Sequence, residues 1–186
     1  MPKENHQWYN HNARYVAEGF ETASFKRSKD MNNFESVRQI GIAVDDLEET
    51  IKIYTEIFGC EKWTCYKVGP EELANYPQYI HGEQRDINLK VAKTFIGTLE
   101  FEFIETIYGE TIQKEYLDTQ PRKNGVQHIS FNTNDFSSAA EFLGKKYEVI
   151  SEAKTPSGWN VMFFDAYDDL GYAIEIQYAL PKNESK

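Results

Sequence analysis

The sequence predicts an α+β domain built from two copies of one β-α-β-β-β unit. Three observations carry that expectation. First, Val37-Arg38-Gln39-Ile40-Gly41-Ile42-Ala43-Val44-Asp45-Asp46-Leu47 is answered by Val126-Gln127-His128-Ile129-Ser130-Phe131-Asn132-Thr133-Asn134-Asp135-Phe136. Both segments alternate like a strand and then place an acidic residue before an apolar one that opens a helix. Gln39 and His128 stand 89 residues apart, as do Asp46 and Asp135. Second, the last predicted strand of each unit carries a carboxylate between large apolar residues, Phe101-Glu102-Phe103 and Ile174-Glu175-Ile176. Third, the hydrophobic period changes from two to that of a helix and back at matching places in both halves.

Composition sets the limits of the reading. The 186 residues are 40% hydrophobic and 15% aromatic, enough to bury one core or two small half-cores. A formal net charge of −10 argues against a nucleic acid or an anionic membrane as partner. No apolar run reaches membrane-spanning length, and the first residues lack the apolar stretch of a secretory signal. Cys60 and Cys65 are therefore expected to be reduced, and the cytoplasm is the expected location.

Residues 1–35 read as an N-terminal extension, polar but carrying Trp8, Tyr9, Tyr15 and Phe20, which suit either a surface arm or a contact with a second subunit. Val37 to Val44 alternates as a strand. Asp46 supplies a helix N-cap with Glu48 and Glu49 behind it, and Leu47 to Phe58 forms a helix whose apolar face is Leu47, Ile51, Tyr54 and Phe58. Gly59 ends it. Lys62 to Val68 is β-prone, and Gly69-Pro70 breaks the pattern. Residues 70–85 read as an irregular or partly helical insertion. Ile87 to Phe95 and Leu99 to Ile104 form a hairpin around Gly97. Module one spans 36–106, and a linker with one short helix (Thr111 to Asp118) fills 107–124. Module two spans 125–180: a strand to Thr133, a helix from Phe136 to Lys146 capped by Asp135, then strands at 147–151, 161–166 and 172–178. Residues 181–186 form a polar tail.

Gln39, Glu102, His128 and Glu175 thus fall on the first and last strands of two like units. If the two sheets curl about a common axis, these four side chains converge. One imidazole nitrogen and three oxygens suit a borderline or hard divalent ion with positions left open, the arrangement a catalytic metal needs. His6, His11 and His81 have no such partners in the repeat.

The arrangement resembles the vicinal oxygen chelate superfamily, which includes glyoxalase I, methylmalonyl-CoA epimerase, extradiol dioxygenases and bleomycin-resistance proteins. The resemblance covers about residues 36–180. Gln39 to Glu48, Glu102 to Thr106, the Gln113 to Leu117 linker and Gly125 to Ile129 look most like the epimerase wording. The resemblance implies paired βαβββ modules forming an open, cup-shaped mixed sheet around a metal site. It places the ligand positions on Gln39, Glu102, His128 and Glu175, with Glu100 as the rival to Glu102, and implies a divalent ion such as Zn, Ni, Co, Mn or Mg. The same Gln, Glu, His, Glu set also looks like the zinc site of eukaryotic glyoxalase I.

The expected chemistry is proton transfer next to a carbonyl through a stabilised enolate, as in an epimerase or isomerase. By resemblance, Glu175 is a candidate base, and Glu83, with Asp86 as rival, is the nearest match to a second catalytic carboxylate. An amide at position 39 is a poor substitute in an iron site built for oxygen chemistry, which disfavours a dioxygenase. The positions where glyoxalase I anchors glutathione hold Ala43 and Thr106. Arg122-Lys123 could meet an anionic group, and Tyr66, Trp159 and Tyr172 could line the cleft. The expected substrate is a small molecule such as an acyl-CoA or oxoacid derivative, and the expected assembly is a homodimer. The alternatives are a glyoxalase I-like lactoylglutathione lyase and a non-catalytic small-molecule-binding protein of the same fold.

Overall fold

A computed structural model describes residues 34–73, 77–154 and 159–179. The expectations for the aromatic N-terminal extension, His6, His11, the turn at 155–158, the Trp159 side chain and the tail lie outside the described residues. The elements follow in the order β1 (Phe34–Val44), α1 (Leu47–Phe58), β2 (Thr64–Val68), α2 (Pro70–Leu73), β3 (Gln78–Ile80), β4 (Glu83–Gln84), β5 (Asn88–Ile96) and β6 (Leu99–Tyr108). Then come α3 (Ile112–Thr119), β7 (Asn124–Thr133), α4 (Phe136–Gly144), β8 (Val149–Lys154), β9 (Trp159–Phe164), α5 (Tyr167–Leu170) and β10 (Ala173–Ala179). The two β-α-β-β-β units expected from the repeat are β1-α1-β2-β5-β6 and β7-α4-β8-β9-β10.

The helix ends form where the sequence supplies their caps. The Asp46 side chain accepts from the Glu49 amide, and Asp135 does the same for Ser138. Gly59 adopts the left-handed conformation (φ 67°) and its N–H bonds the Thr55 carbonyl. On α1, Leu47 and Thr50 are the buried positions, whereas Phe58, expected on the apolar face, is 55% exposed. It lies in the last turn, and its ring rests against Tyr54 at 5.1 Å.

All strands among the described residues join one sheet, ordered β2-β5-β6-β1-β7-β10-β9-β8-β3-β4 and curled into an open cup. Its centre is β6-β1-β7-β10, where β1 runs parallel to β6 and antiparallel to β7, and β7 parallel to β10. On the helix-covered face, Leu47 of α1 is buried with Val44, Ala92 and Phe103, and Ala139 and Leu143 of α4 are buried with Phe164 and Ile176.

The insertion departs from the expectation. Residues 70–85 contain the short α2 and then a β-hairpin that leaves module one and pairs with β8 of module two (Ile80↔Ser151, Tyr79↔Glu152). Its turn is made by His81 and Gly82, both at positive φ (49° and 77°), the geometry of a tight two-residue hairpin. Ile80 is buried with Ile112, Ile150, Val161, Phe163 and Ala173. Burial of that side chain, worth about 1.5–3 kcal/mol, favours the strand pairing over an irregular loop. Both cysteines are free, Cys60 buried and Cys65 exposed. No helix among the described residues is long and apolar enough to cross a membrane.

Candidate metal and catalytic site

The registers of the four central strands bring the repeat-matched residues into two adjacent rows. Gln39 on β1 lies opposite Ser130 on β7, which in turn lies beside Glu175 on β10. Gly41 lies beside Glu102 on β6 and opposite His128 on β7. Alternation along each strand then turns Gln39, Glu102, His128 and Glu175 to the same face. All four are buried.

The side chains meet. The Gln39 amide Nε2 donates to Glu102 Oε2 at 2.7 Å and, at 3.5 Å, to Glu175 Oε2. His128 Nε2 is 3.5 Å from Glu102 Oε2 and 3.4 Å from Glu175 Oε2. Gln39 Oε1 and His128 Nε2 are buried without a hydrogen-bond partner. Such orphaned atoms are costly and call for an explanation. Gly41 makes the convergence possible: a Cβ at that position would stand 1.8 Å from Cε1 and 2.0 Å from Nε2 of the His128 ring. The Phe163 ring also packs against the imidazole, nearly perpendicular to it, with ring centroids 5.1 Å apart.

The donor set passes a test of fit for a divalent ion. Donors held at about 2.1 Å from one ion stand about 3.0 Å apart at right angles and about 3.4 Å apart at tetrahedral angles, close to the distances found here. Among the described residues, no three His, Cys, Asp or Glu side chains are already converged on one ion position. Amide orientation is assigned from hydrogen bonding, and turning the Gln39 group over exchanges Nε2 for the partnerless Oε1, giving four inward donors.

Each carboxylate is also held from behind, by residues the repeat did not reveal. Lys93 on β5, paired across the strands with Glu102, places Nζ 2.9 Å from Glu102 Oε1 and 3.6 Å from Glu100 Oε1. The Tyr66 hydroxyl donates to Glu102 Oε1 at 3.4 Å. Gln177 Nε2 donates to Glu175 Oε1 at 2.7 Å. These partners divide the two carboxyls electrostatically. Burial pushes Glu102 up, but the Lys93 ammonium and then His128 outweigh it and hold the carboxyl at about 2. Burial also pushes Glu175 up, and although His128 opposes the rise, Glu102 adds to it and Glu175 stays above its ordinary value. Lysine on a strand opposite a glutamate reads as an ordinary surface pair, so sequence alone held no signal for Lys93.

The remaining expected residues fall elsewhere. Of the two glutamates on β6, Glu102 faces Gln39 and His128, while Glu100 meets Lys93. Glu83 is not brought to the quartet: it sits on the outermost strand, β4, its side chain 70% exposed and 2.6 Å from Arg85. Asp86 is exposed on the loop before β5. Arg122 and Lys123 are exposed, and Lys123 reaches Asp45 at 3.4 Å. Tyr172 is half-buried. Ala43 is buried, and the Thr106 hydroxyl is taken by Thr111 at 2.6 Å, so neither offers a charged anchor.

A single cup-shaped sheet built from paired βαβββ modules, with four polar side chains from its central strands turned to one face, defines the class of protein by its scaffold. The chain belongs to the glyoxalase/bleomycin resistance protein/dioxygenase superfamily, whose family model matches residues 38–163. Among solved structures, it is similar to methylmalonyl-CoA epimerase from Mycobacterium tuberculosis (TM-score 0.57, 15% identity, covering 81% of this chain and 92% of the other). A Streptomyces coelicolor methylmalonyl-CoA epimerase variant in complex with 2-nitronate-propionyl-CoA gives a TM-score of 0.56 at 21% identity, covering 80% and 99%. A hypothetical protein from Bacillus halodurans C-125 gives 0.58 at 17%, covering 80% and 97%. None of the curated proteins matches the sequence.

Proposed function

We propose that the chain is a divalent-metal-dependent enzyme of the isomerase or epimerase type, moving a proton next to a carbonyl. One observation carries the reading: His128 Nε2 and Gln39 Oε1 are buried without partners while an oxygen of each carboxylate stands within 3.5 Å of His128. Gln39, Glu102, His128 and Glu175 would hold the ion. A divalent ion there supplies Lewis-acid stabilisation of the negative charge that develops on a carbonyl oxygen when the adjacent carbon loses a proton.

The chain's own residues supply the rest. Glu102, fixed by Lys93 and Tyr66, stays ionised and serves as a constant charge. Glu175, whose Oε2 lies 3.4 Å from His128 Nε2 while Gln177 holds Oε1, is the group placed to take and return a proton. Gln177 orients Glu175 from behind through Oε1, leaving Oε2 inward. Glu83 has no part in this reading, because its carboxylate is engaged by Arg85 at the sheet edge.

A small acyl thioester or oxoacid derivative is the substrate class we favour. The likeness to epimerases supports it, one of them solved in complex with methylmalonyl-CoA. The Gln, Glu, His, Glu donor set supports a glyoxalase-type lyase as the second reading. The uncharged Ala43 and Thr106 positions weigh against glutathione as its substrate. Metal content of protein purified without chelator, compared with Glu175→Ala, tests the site: about one ion per chain is expected for the first and a large loss for the second. Incubation in deuterated solvent with a panel of α-substituted acyl thioesters and oxoacids should exchange the proton next to the carbonyl. An absence of both metal and exchange would sink the reading.

A further inference from the structure

The antiparallel pairing of β1 and β7 is interrupted beside the site. The register passes from Gly41↔His128 directly to Ile42↔Val126, leaving Gln127 as an extra residue without a partner on β1. Such a β-bulge breaks the alternation of side chains locally and re-aims one of them. Here it brings the Gln127 side chain, fully buried, to its own neighbour: Gln127 Oε1 is 2.7 Å from His128 Nδ1. The other end of the amide is fixed as well, with Gln127 Nε2 donating to the Tyr167 hydroxyl at 2.6 Å. Tyr167, on α5, stacks on Tyr116 of α3 at 5.6 Å and forms part of the wall of a cleft of about 550 Å³.

We propose that Gln127 and Tyr167 are positioning residues that hold His128 with its proton on Nδ1 and its Nε2 lone pair turned into the cup. The inference deepens the metal-site reading and rests on it for the use made of Nε2. The chain of donors is consistent along its length. His128 Nδ1–H donates to Gln127 Oε1, Gln127 Nε2–H donates to the Tyr167 oxygen, and the Tyr167 hydroxyl proton turns toward the cleft. Burial pushes the Tyr167 hydroxyl well above its ordinary value, so its oxygen remains a neutral acceptor across the working pH range. An imidazole presented through one nitrogen needs its other nitrogen anchored, and loss of such an anchor weakens ion binding about 10–100-fold. Gly41 and the bulge act together: the first makes room for the ring, and the second brings the group that orients it.

The experiment uses the full-length chain, with Zn²⁺ as probe ion in competition against a chromophoric chelator and with the His128 Nδ1–H followed by nitrogen-15 NMR in the metal-free protein. The wild type should show an Nδ1–H resonance protected from solvent exchange. Gln127→Ala should lose that protection and bind Zn²⁺ about 10–100-fold more weakly. Gln127→Glu, which keeps an acceptor at Oε1 while the Tyr167 hydroxyl turns to donate, should restore both. Tyr167→Phe removes one oxygen without disturbing the stacked ring, and its intermediate effect guards against a folding failure in Gln127→Ala. A wild type with its ring proton on Nε2 would overturn the proposal, as would a Gln127→Ala variant with unchanged protection and affinity. A protected Nδ1–H in a wild type that binds no Zn²⁺ would instead support the relay and remove the metal reading.

Discussion

At the scale of single residues, the candidate site depends on a side chain that is missing. Gly41 lies directly beneath the His128 imidazole, and its role has nothing to do with backbone freedom. The ring occupies the volume a Cβ would need. Gly41→Ala should therefore push the ring off its position, costing about 1–3 kcal/mol through overpacking. It should also reduce Zn²⁺ affinity by more than tenfold, read by chelator competition. A variant with wild-type affinity would show that the ring has another place to go. The same scale explains why Lys93 and Gln127 went unnoticed in the sequence. Neither is one of the four matched residues of the repeat, Gln127 being answered there by Arg38, and a lysine or a glutamine on a strand has an ordinary solvent-facing reading. Only the cross-strand pairing of Lys93 with Glu102, and the bulge at Gln127, give them a role.

At the scale of elements, the helices obey their sequence closely and the insertion does not. The α4 N-cap is an aspartate whose carboxyl accepts from the Ser138 amide at 3.0 Å and the Ser138 hydroxyl at 2.7 Å. That backbone hydrogen bond, followed by the hydroxyl, holds the Asp135 carboxyl below its ordinary value of 3.8. A carboxyl lowered in the folded state stabilises the fold above its unfolded pKa, and that contribution disappears as pH falls through the lowered folded value. Asp135→Asn keeps a cap without the charge, so its stability relative to wild type should improve as pH falls from about 5 toward 2. Urea midpoints measured across that range check this, and a difference independent of pH would refute it. The insertion shows the opposite case. Gln78-Tyr79-Ile80 is too short to stand out against the glycines and prolines around it. Its strand character comes from β8, which offers an unpaired edge, and from the apolar cluster that takes Ile80.

At the scale of the molecule, the sheet couples the two modules through the site. Gln39 and Glu102 come from module one, His128 and Glu175 from module two, and the hairpin of β3 and β4 carries module one's insertion onto module two's edge. An ion held by all four would act on the whole fold. Stabilisation by binding grows as RT ln(1 + [L]/Kd), about 2.7 kcal/mol at a hundredfold excess over Kd. Adding Zn²⁺ to chelator-treated protein should raise the thermal midpoint by several degrees. Glu175→Ala should respond much less. Equal shifts in both proteins would place the ion elsewhere on this acidic chain.

The sequence by itself determined the duplicated β-α-β-β-β plan, the capped helices and the identity of the four matched residues. These are recorded in local periodicity and in a repeat, both of which survive without any knowledge of contacts. The tertiary structure decided which glutamate on β6 faces the histidine, which side chains stand behind each carboxylate, and where the insertion goes. It also separated Glu83, tied to Arg85 on the outer strand, from the quartet it had been expected to serve. Those outcomes depend on strand register, on one bulge and on the pairing of distant edges. Register turns side chains to one face or the other with a shift of a single residue, and which residue of a distant strand or edge lies opposite is decided only when the strands pair.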